Sequence, residues 1–119
     1  MSDWRKQYED AAEKDAQRFA RWSDRELLDA IRRRATGDYY VLWYEVAKRK
    51  ATPEACWLLY DVLLSDRPYL DKYHCAAALL KLLQCTEFEE VQLSADWPVV
   101  PANLARLREI MEGKLGAKP

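Results

Sequence analysis

Apolar residues recur three and four positions apart along most of this chain, which is the period of an amphipathic helix. Leu27, Leu28 and Ile31 show this spacing after the capping-box sequence Ser23-Asp24-Arg25-Glu26. Residues 55–63 show it after Thr52-Pro53, where proline at the first helical position loses no hydrogen bond. Short strand-like runs occur only at 91–93 and 99–100, and neither has a partner of comparable length. The pattern therefore predicts an all-α protein.

Capping residues, prolines and glycines divide the pattern into six or seven helices. The predicted helices cover residues 3–21, a segment from the Ser23 cap to Gly37, 39–50, 53 to about 64, 68–84, 88–93 and 101–113. Asp38 is expected to cap the helix at 39–50. Thr86 and Glu89 are expected to form a capping box before the short helix at 88–93. Trp97-Pro98 is expected to be extended, because the residue before proline disfavours the helical region.

The helix starts are evenly spaced. Those near Asp24, Asp38, Pro53 and Pro68 are separated by 14 or 15 residues, so consecutive helices are expected to be antiparallel neighbours. We expect one compact bundle of stacked helical hairpins over residues 1–113, followed by a flexible tail at 114–119.

Composition narrows the class of protein. The chain has 119 residues, with 20 Asp and Glu against 19 Lys and Arg, which disfavours a globally basic nucleic-acid coat. No run approaches the ~18 apolar residues of a membrane helix, and the N-terminus lacks a signal-peptide core. Three cysteines without framework spacing favour a reducing compartment. We expect a soluble, cytoplasmic protein that does not associate with membranes.

Candidate catalytic residues are few. His74 and Cys75 are adjacent, so on a helix they point about 100° apart and cannot form a nucleophile–base pair with each other. Metal-ligand spacings, phosphate loops and nucleophile elbows are missing from the sequence. The thiols of Cys56, Cys75 and Cys85 are expected to act as small apolar side chains. We expect neither an enzyme nor a cofactor or metal site.

Two basic triplets, 32–34 and 48–50, allow two interpretations. They could contact nucleic-acid phosphates, or they could complement the dipole at the last turn of a helix. Antiparallel packing would put them at opposite ends of their helices, and the pI of about 5.9 also disfavours a nucleic-acid protein. The dipole interpretation is favoured.

The second half of the chain is acidic and rich in aromatic residues. Residues 51–100 contain eight acids against three bases, a net charge of −5, whereas residues 1–50 carry +2. Such a field can attract a basic partner, and Trp and Tyr are enriched at interface hot spots. The alternatives are helix capping for the acids and a core padded with large rings for the aromatics. The proposed partner-binding residues are Trp57, Tyr60, Asp61, Asp66, Tyr69, Asp71, Glu87, Glu89 and Glu90.

Two resemblances bear on fold and function. Lys72, the Ala76-Ala77 pair, Leu79 and Leu82 resemble the second helix of a HEAT repeat, within a similarity that covers residues 38–83. Its period of about 30 residues is shorter than the roughly 40 of that family. In size, acidity and lack of catalytic motifs the chain also resembles bacterial immunity proteins, including those of contact-dependent inhibition systems. The first implies a partner-binding scaffold, and the second implies an inhibitor of a toxin domain.

Three functions are consistent with these features. The favoured one is a cytoplasmic inhibitor that neutralises a cognate toxin domain, such as a basic nuclease, through an acidic, aromatic surface. The second is a helical scaffold or adaptor subunit, which includes a homodimer formed through the aromatic face of residues 39–47. The third, a HEAT-like nucleic-acid binder using the basic triplets, is disfavoured by charge.

Overall fold

The computed structural model describes residues 3–85 and 96–119. These residues form six α-helices and a 3₁₀ turn, Trp97–Val99, and they contain no strand. The helices are α1 (Trp4–Ala20), α2 (Asp24–Arg32), α3 (Val41–Ala47), α4 (Pro53–Leu64), α5 (Tyr69–Leu82) and α6 (Pro101–Leu115). The expected all-α class is confirmed. The helix predicted at 88–93, with its capping box, lies outside the described residues.

The chain divides into two compact units, Met1–Arg49 and Lys50–Pro119, which we describe separately. The expectation of a single domain over residues 1–113 stays a prediction. None of the described helices is both long enough and apolar enough to cross a membrane.

In the first unit, α3 packs against α1 and α2. Its core contains Phe19, Leu27, Ile31, Leu42 and Trp43, all almost completely buried. The predicted capping box is present, since Ser23 Oγ accepts from the Glu26 backbone N–H at 3.1 Å and Glu26 Oε1 accepts from the Ser23 N–H at 3.1 Å. Two orphan donors at the start of α2 are thereby satisfied.

The predicted end of α2 at Gly37 is wrong. The helix ends at Arg32 because Arg34 adopts a left-handed conformation with φ of 58°. The Ala35 and Arg34 amides then bond to the carbonyls of Ala30 and Ile31, at 2.8 and 3.2 Å, which is the bonding pattern of a Schellman motif.

The third helix is shorter than the predicted 39–50, and Asp38 does not cap it. Tyr40 occupies the N-cap position with φ of 61°, so regular helix begins only at Val41. The helix ends at Ala47, before the basic triplet 48–50. Leu42, Trp43, Val46 and Ala47 are buried, whereas Tyr44 is exposed.

In the second unit, α4 packs against α5 and α6, and the 3₁₀ turn contacts all three helices. The Thr52 hydroxyl caps α4 by accepting from the Ala55 amide at 3.1 Å. The connection between α4 and α5 has only four residues, 65–68, which is the short link expected of a helical hairpin. Trp97, Leu107 and Met111 are each no more than 1% exposed, so Trp97 is a core residue.

Trp97-Pro98 is not extended as predicted. It forms the 3₁₀ turn, in which the Val99 and Val100 amides bond to the carbonyls of Asp96 and Trp97 at 3.1 and 3.4 Å. Pro98 fits here because its missing N–H lies among the first positions of a helix, which have no partner within it.

The last helix, α6, continues two residues beyond its predicted end at Gly113. Lys114 Nζ donates to the Leu83 carbonyl at 2.9 Å, and Lys118 Nζ forms an ion pair with Asp61. The tail at 114–119 therefore begins inside α6 and contacts α4; its flexibility stays a prediction.

Candidate protein-binding surface

The connection between α4 and α5 is a tight turn held by one serine. Ser65 Oγ donates to the Val62 carbonyl at 2.6 Å and accepts from the Arg67 amide at 3.3 Å. Pro68 then sits at the N-cap of α5 with φ of −55° and ψ of 149°, so α5 begins at Tyr69. These local interactions fix the residues on either side of the turn.

Large apolar side chains are exposed around this turn. Leu64 is 54% exposed, Leu70 49% and Tyr69 37%. Asp66 is exposed in the turn, and Asp96 is exposed at the start of the 3₁₀ turn. We call these five residues, Leu64, Asp66, Tyr69, Leu70 and Asp96, the α5 corner. Exposed apolar residues with nearby charges are a common composition of protein-binding surfaces.

The Tyr69 ring lies in a distinct electrostatic environment. Its centroid is 6.4 Å from that of Tyr73, and the Tyr73 ring meets His74 edge-on at 5.4 Å. Desolvation raises the pKa of Tyr69, and electrostatic interactions with Tyr73 and with the Asp96 carboxylate act in the same direction. The phenol therefore stays neutral and able to donate a hydrogen bond, with an acidic residue near it.

The basic residue closest in sequence to this corner is directed inward. Arg67 is only partly exposed, and its Nε and Nη1 atoms are buried. Its charge lowers the pKa of the buried Cys75 thiol, although desolvation raises that pKa by more. The guanidinium thus contributes less positive charge to the surface than an extended arginine would, and the α5 corner keeps an acidic character.

Trp57 and Tyr60, two predicted partner-binding residues, lie in the core instead. Their side chains are 2% and 3% exposed, and their rings meet edge-on at 5.7 Å. The Tyr60 hydroxyl donates to the Leu104 carbonyl of α6 at 3.2 Å. They are buried because α4 packs against both α5 and α6, so two of its faces are covered. As placed here, neither ring offers contact area to a partner.

The other predicted residues are distributed around α4 and α5. Asp61 is exposed and paired with Lys118, and Asp71 is half-buried in the first turn of α5, where a carboxylate complements the helix dipole. Only Asp66 and Tyr69 of the predicted set belong to the α5 corner. Glu87, Glu89 and Glu90 lie outside the described residues.

Of the other three residues of the α5 corner, sequence reasoning missed Leu70 and did not include Leu64 and Asp96 among the proposed partner-binding residues. Asp96 was counted in the acidic stretch, but its proximity to Tyr69 depends on the packing of the 3₁₀ turn against α5. Leu70 carries a weak signal: it follows Tyr69 at the start of α5, outside the Cys75, Leu79 and Leu82 stripe that is buried.

The cysteines and the histidine are at least partly buried among other side chains. Cys56 and Cys75 are buried, as expected, and Cys85 is partly exposed. Desolvation raises the pKa of Cys56 to about 11, and Cys75 Sγ donates to the Leu59 carbonyl at 3.3 Å. His74 is half-buried; desolvation lowers its pKa, and the Asp71 charge opposes this. Within 3–85 and 96–119, no three His, Cys, Asp or Glu residues are grouped closely enough to hold a metal ion.

The arginines of the basic triplets are engaged within the first unit. Arg32 pairs with Asp29 at 3.1 Å, and Arg33 Nε donates to the Asp29 carbonyl at 3.3 Å. Arg49 bonds to Asp24 and Glu45, both at 2.8 Å. Arg32 lies in the last turn of α2, as the dipole interpretation expects, whereas the triplet 48–50 follows the end of α3 and does not fit that expectation. The ion pairs of Arg32 and Arg49 belong to neither interpretation, and phosphate binding by these residues stays untested.

Comparison of the chain with protein-family models, with curated proteins and with solved structures found no match.

Proposed function

We propose that this protein binds a basic protein partner through the α5 corner, and that it does so as an inhibitor of the immunity type. The observation that carries the proposal is the exposed Tyr69–Leu70 pair beside Asp96, in a segment with net charge −5. A basic toxin domain, such as a nuclease, is the partner that this charge suits best. The inhibitor would cover the toxin's active site or substrate groove and would act in the cytoplasm.

Charge and apolar area have separate parts in this binding. Asp66 and Asp96 raise the rate of association with a cationic surface, an effect that falls with ionic strength. Tyr69, Leu64 and Leu70 lose water on contact, which slows dissociation. Because Trp57 and Tyr60 are buried, Tyr69 is the aromatic anchor of the proposed surface.

The test is affinity capture from native lysate at low and high salt, followed by measurement of affinity for the recovered protein. We expect one stoichiometric basic protein, less well retained at high salt. The double variant Asp66→Lys/Asp96→Lys should weaken its binding by more than about tenfold at low salt. The matched control is Glu9→Lys/Asp10→Lys, which makes the same charge change on the exposed part of α1.

Equal loss of affinity in the control would show that net charge matters and the α5 corner does not. Unchanged affinity in the Asp66/Asp96 variant would refute the acidic surface. Recovery of RNA or DNA without a protein partner would favour the nucleic-acid adaptor.

A scaffold or homodimer is the second candidate, because the first unit also exposes aromatic rings. Trp4, Tyr8 and Tyr44 are all about half exposed or more, and Tyr8 meets Tyr39 edge-on at 5.0 Å. Monomeric proteins seldom expose large contiguous apolar patches, so these rings favour self-association if they adjoin one another on the surface. A molar mass that rises with concentration in light scattering, and falls back in Trp4→Ser/Tyr44→Ser, would favour this candidate over a monomeric inhibitor.

A further inference from the structure

A cavity of about 240 Å³ on the first unit has a cationic lining. Its lining residues are Lys14, Gln17, Arg18, Arg21 and Trp22, so it contains three cations, one amide and one aromatic ring. Among the described residues no carboxylate lines it, although Asp15 contacts Arg18 and Glu13 contacts Gln17. We propose that this cavity, which we call the α1 pocket, binds the phosphate group of a nucleotide, with the base lying against Trp22.

The geometry of α1 brings the three basic side chains of the pocket together. Lys14, Arg18 and Arg21 are four and three positions apart, so they share one face of α1. Arg21 is the C-cap of α1, and Trp22 follows it where the chain leaves the helix. The ring is therefore brought beside the last turn that carries the basic side chains.

Arg18 contacts one carboxylate and two aromatic rings. Its Nη2 atom is 3.3 Å from Asp15 Oδ1, and its Cζ atom lies 4.7 Å from the Phe19 ring centroid and 5.9 Å from that of Trp22. Phe19 and Trp22 meet edge-on at 5.0 Å. These contacts restrict the guanidinium of a side chain that stays 54% exposed, so this group should lose less entropy on bonding an anion than that of an unrestrained arginine would.

Lys14 and Arg21 provide the charge that is not neutralised. Their side chains form no ion pair within the described residues and are exposed at the rim of the pocket. Adjacent cations repel one another, and a phosphate group carries up to two negative charges with three acceptor oxygens. Gln17, whose Nε2 donates to Glu13 at 3.2 Å, adds a neutral polar group.

The dimensions favour a small ligand over a nucleic-acid strand. From Lys14 to Arg21 the helix rises by roughly 10 Å, which is enough for one phosphate and one base. The volume is below the ~300–1,000 Å³ of pockets that enclose a drug-sized molecule, so the phosphate enters and the base lies on the rim. A strand binder needs a longer basic track with several stacking rings.

The test is calorimetric titration of the full-length chain with adenosine monophosphate, inorganic phosphate and adenosine at low salt. The mononucleotide should bind about tenfold more tightly than phosphate because of stacking, and adenosine should bind least. Lys14→Gln and Arg21→Gln should each weaken mononucleotide binding at least about threefold through loss of a charged hydrogen bond. Both residues are exposed, so neither change should unfold the chain.

The matched control is Lys6→Gln, which removes the same charge from α1 outside the pocket and should leave affinity unchanged. Amide chemical shifts should change at residues 14–22 during the titration. Equal weakening by Lys6→Gln would overturn the pocket assignment, as would a dissociation constant above about 10 mM for the mononucleotide. A short single-stranded oligonucleotide that binds more than about a hundredfold more tightly would overturn the small-ligand assignment.

Discussion

Arg49 joins three helices of the first unit, and its removal should destabilise that unit strongly. The Nε atom donates to Glu45 Oε2 and Nη1 donates to Asp24 Oδ1, each at 2.8 Å. The Nη2 atom donates to the carbonyls of Phe19 and Ala20, at 3.2 and 3.4 Å, at the end of α1. Hydrogen bonding to Glu45 is the main reason that the pKa of Arg49 is raised, so the guanidinium is strongly held in its charged form.

The magnitude follows from the burial of each partner. The Glu45 side chain is only 11% exposed, so Arg49→Met leaves a carboxylate that water reaches poorly, at a cost of about 2–3 kcal/mol. The Asp24 side chain is 63% exposed, and the loss of that pair should cost only about 0.5 kcal/mol. Methionine keeps most of the aliphatic packing of arginine. We therefore expect a total loss of about 3 kcal/mol.

The assay is urea unfolding followed by circular dichroism, together with amide exchange at residues 41–47 of α3. The matched control is Arg108→Met, which removes a pair of the same spacing, with Glu112 at 2.9 Å, where both side chains are about half exposed. That control should lose about 0.3–0.5 kcal/mol. The double variant Glu45→Leu/Arg49→Met should recover part of the lost free energy of unfolding, because it leaves no buried carboxylate without a partner.

Two results would refute this reasoning. A free energy of unfolding for Arg49→Met within about 0.5 kcal/mol of the original chain would show that water already solvates Glu45 well. No recovery in the double variant would show that the cost comes from the α1 carbonyls or from packing rather than from Glu45.

Two further changes test the turn after α2 and the setting of His74. Gly37 has φ of +79°, and a Cβ there would lie 3.3 Å from Asp15 Oδ2, so Gly37→Ala should lower the free energy of unfolding by about 1 kcal/mol in urea titration. In contrast, Gly113→Ala should raise the free energy of unfolding by about 0.5–1 kcal/mol, because Gly113 lies in α6 and no atom is within 4 Å of the added Cβ. A lower free energy of unfolding for Gly113→Ala, or an unchanged one for Gly37→Ala, would contradict these backbone conformations. The lowered pKa of His74 means that the unfolded chain takes up this proton first, at about pH 6.5, so the stability it provides is present above that pH and is lost as the pH falls below it. His74→Gln should flatten the dependence of unfolding free energy on pH between about 7.5 and 5.5, and an unchanged slope would refute the assignment.

Local and periodic signals in the sequence are enough to predict the all-α class, which the structure confirms. The Ser23–Glu26 capping box and the Thr52 cap with Pro53 are satisfied within a few residues of chain, so they form as the sequence predicts. The burial of Cys56 and Cys75 followed from the same helical placement, whereas the ion pairs of Arg32 and Arg49 are not predicted by the sequence. The ends of the helices were predicted less accurately than their presence. The reason is that the non-glycine residues Arg34 and Tyr40 adopt left-handed conformations that no sequence rule assigns to them.

Which aromatic rings are exposed depends on how the helices pack against one another. The sequence predicts that Trp57 and Tyr60 bind a partner, but the packing of α5 and α6 against α4 buries them. The proximity of Asp96 to Tyr69 arises from contacts between residues 27 positions apart. The α1 pocket likewise depends on where Trp22 lies after the helix has ended. Period and capping fix what each segment forms, whereas the exposure of a side chain depends on segments distant in sequence that pack against it.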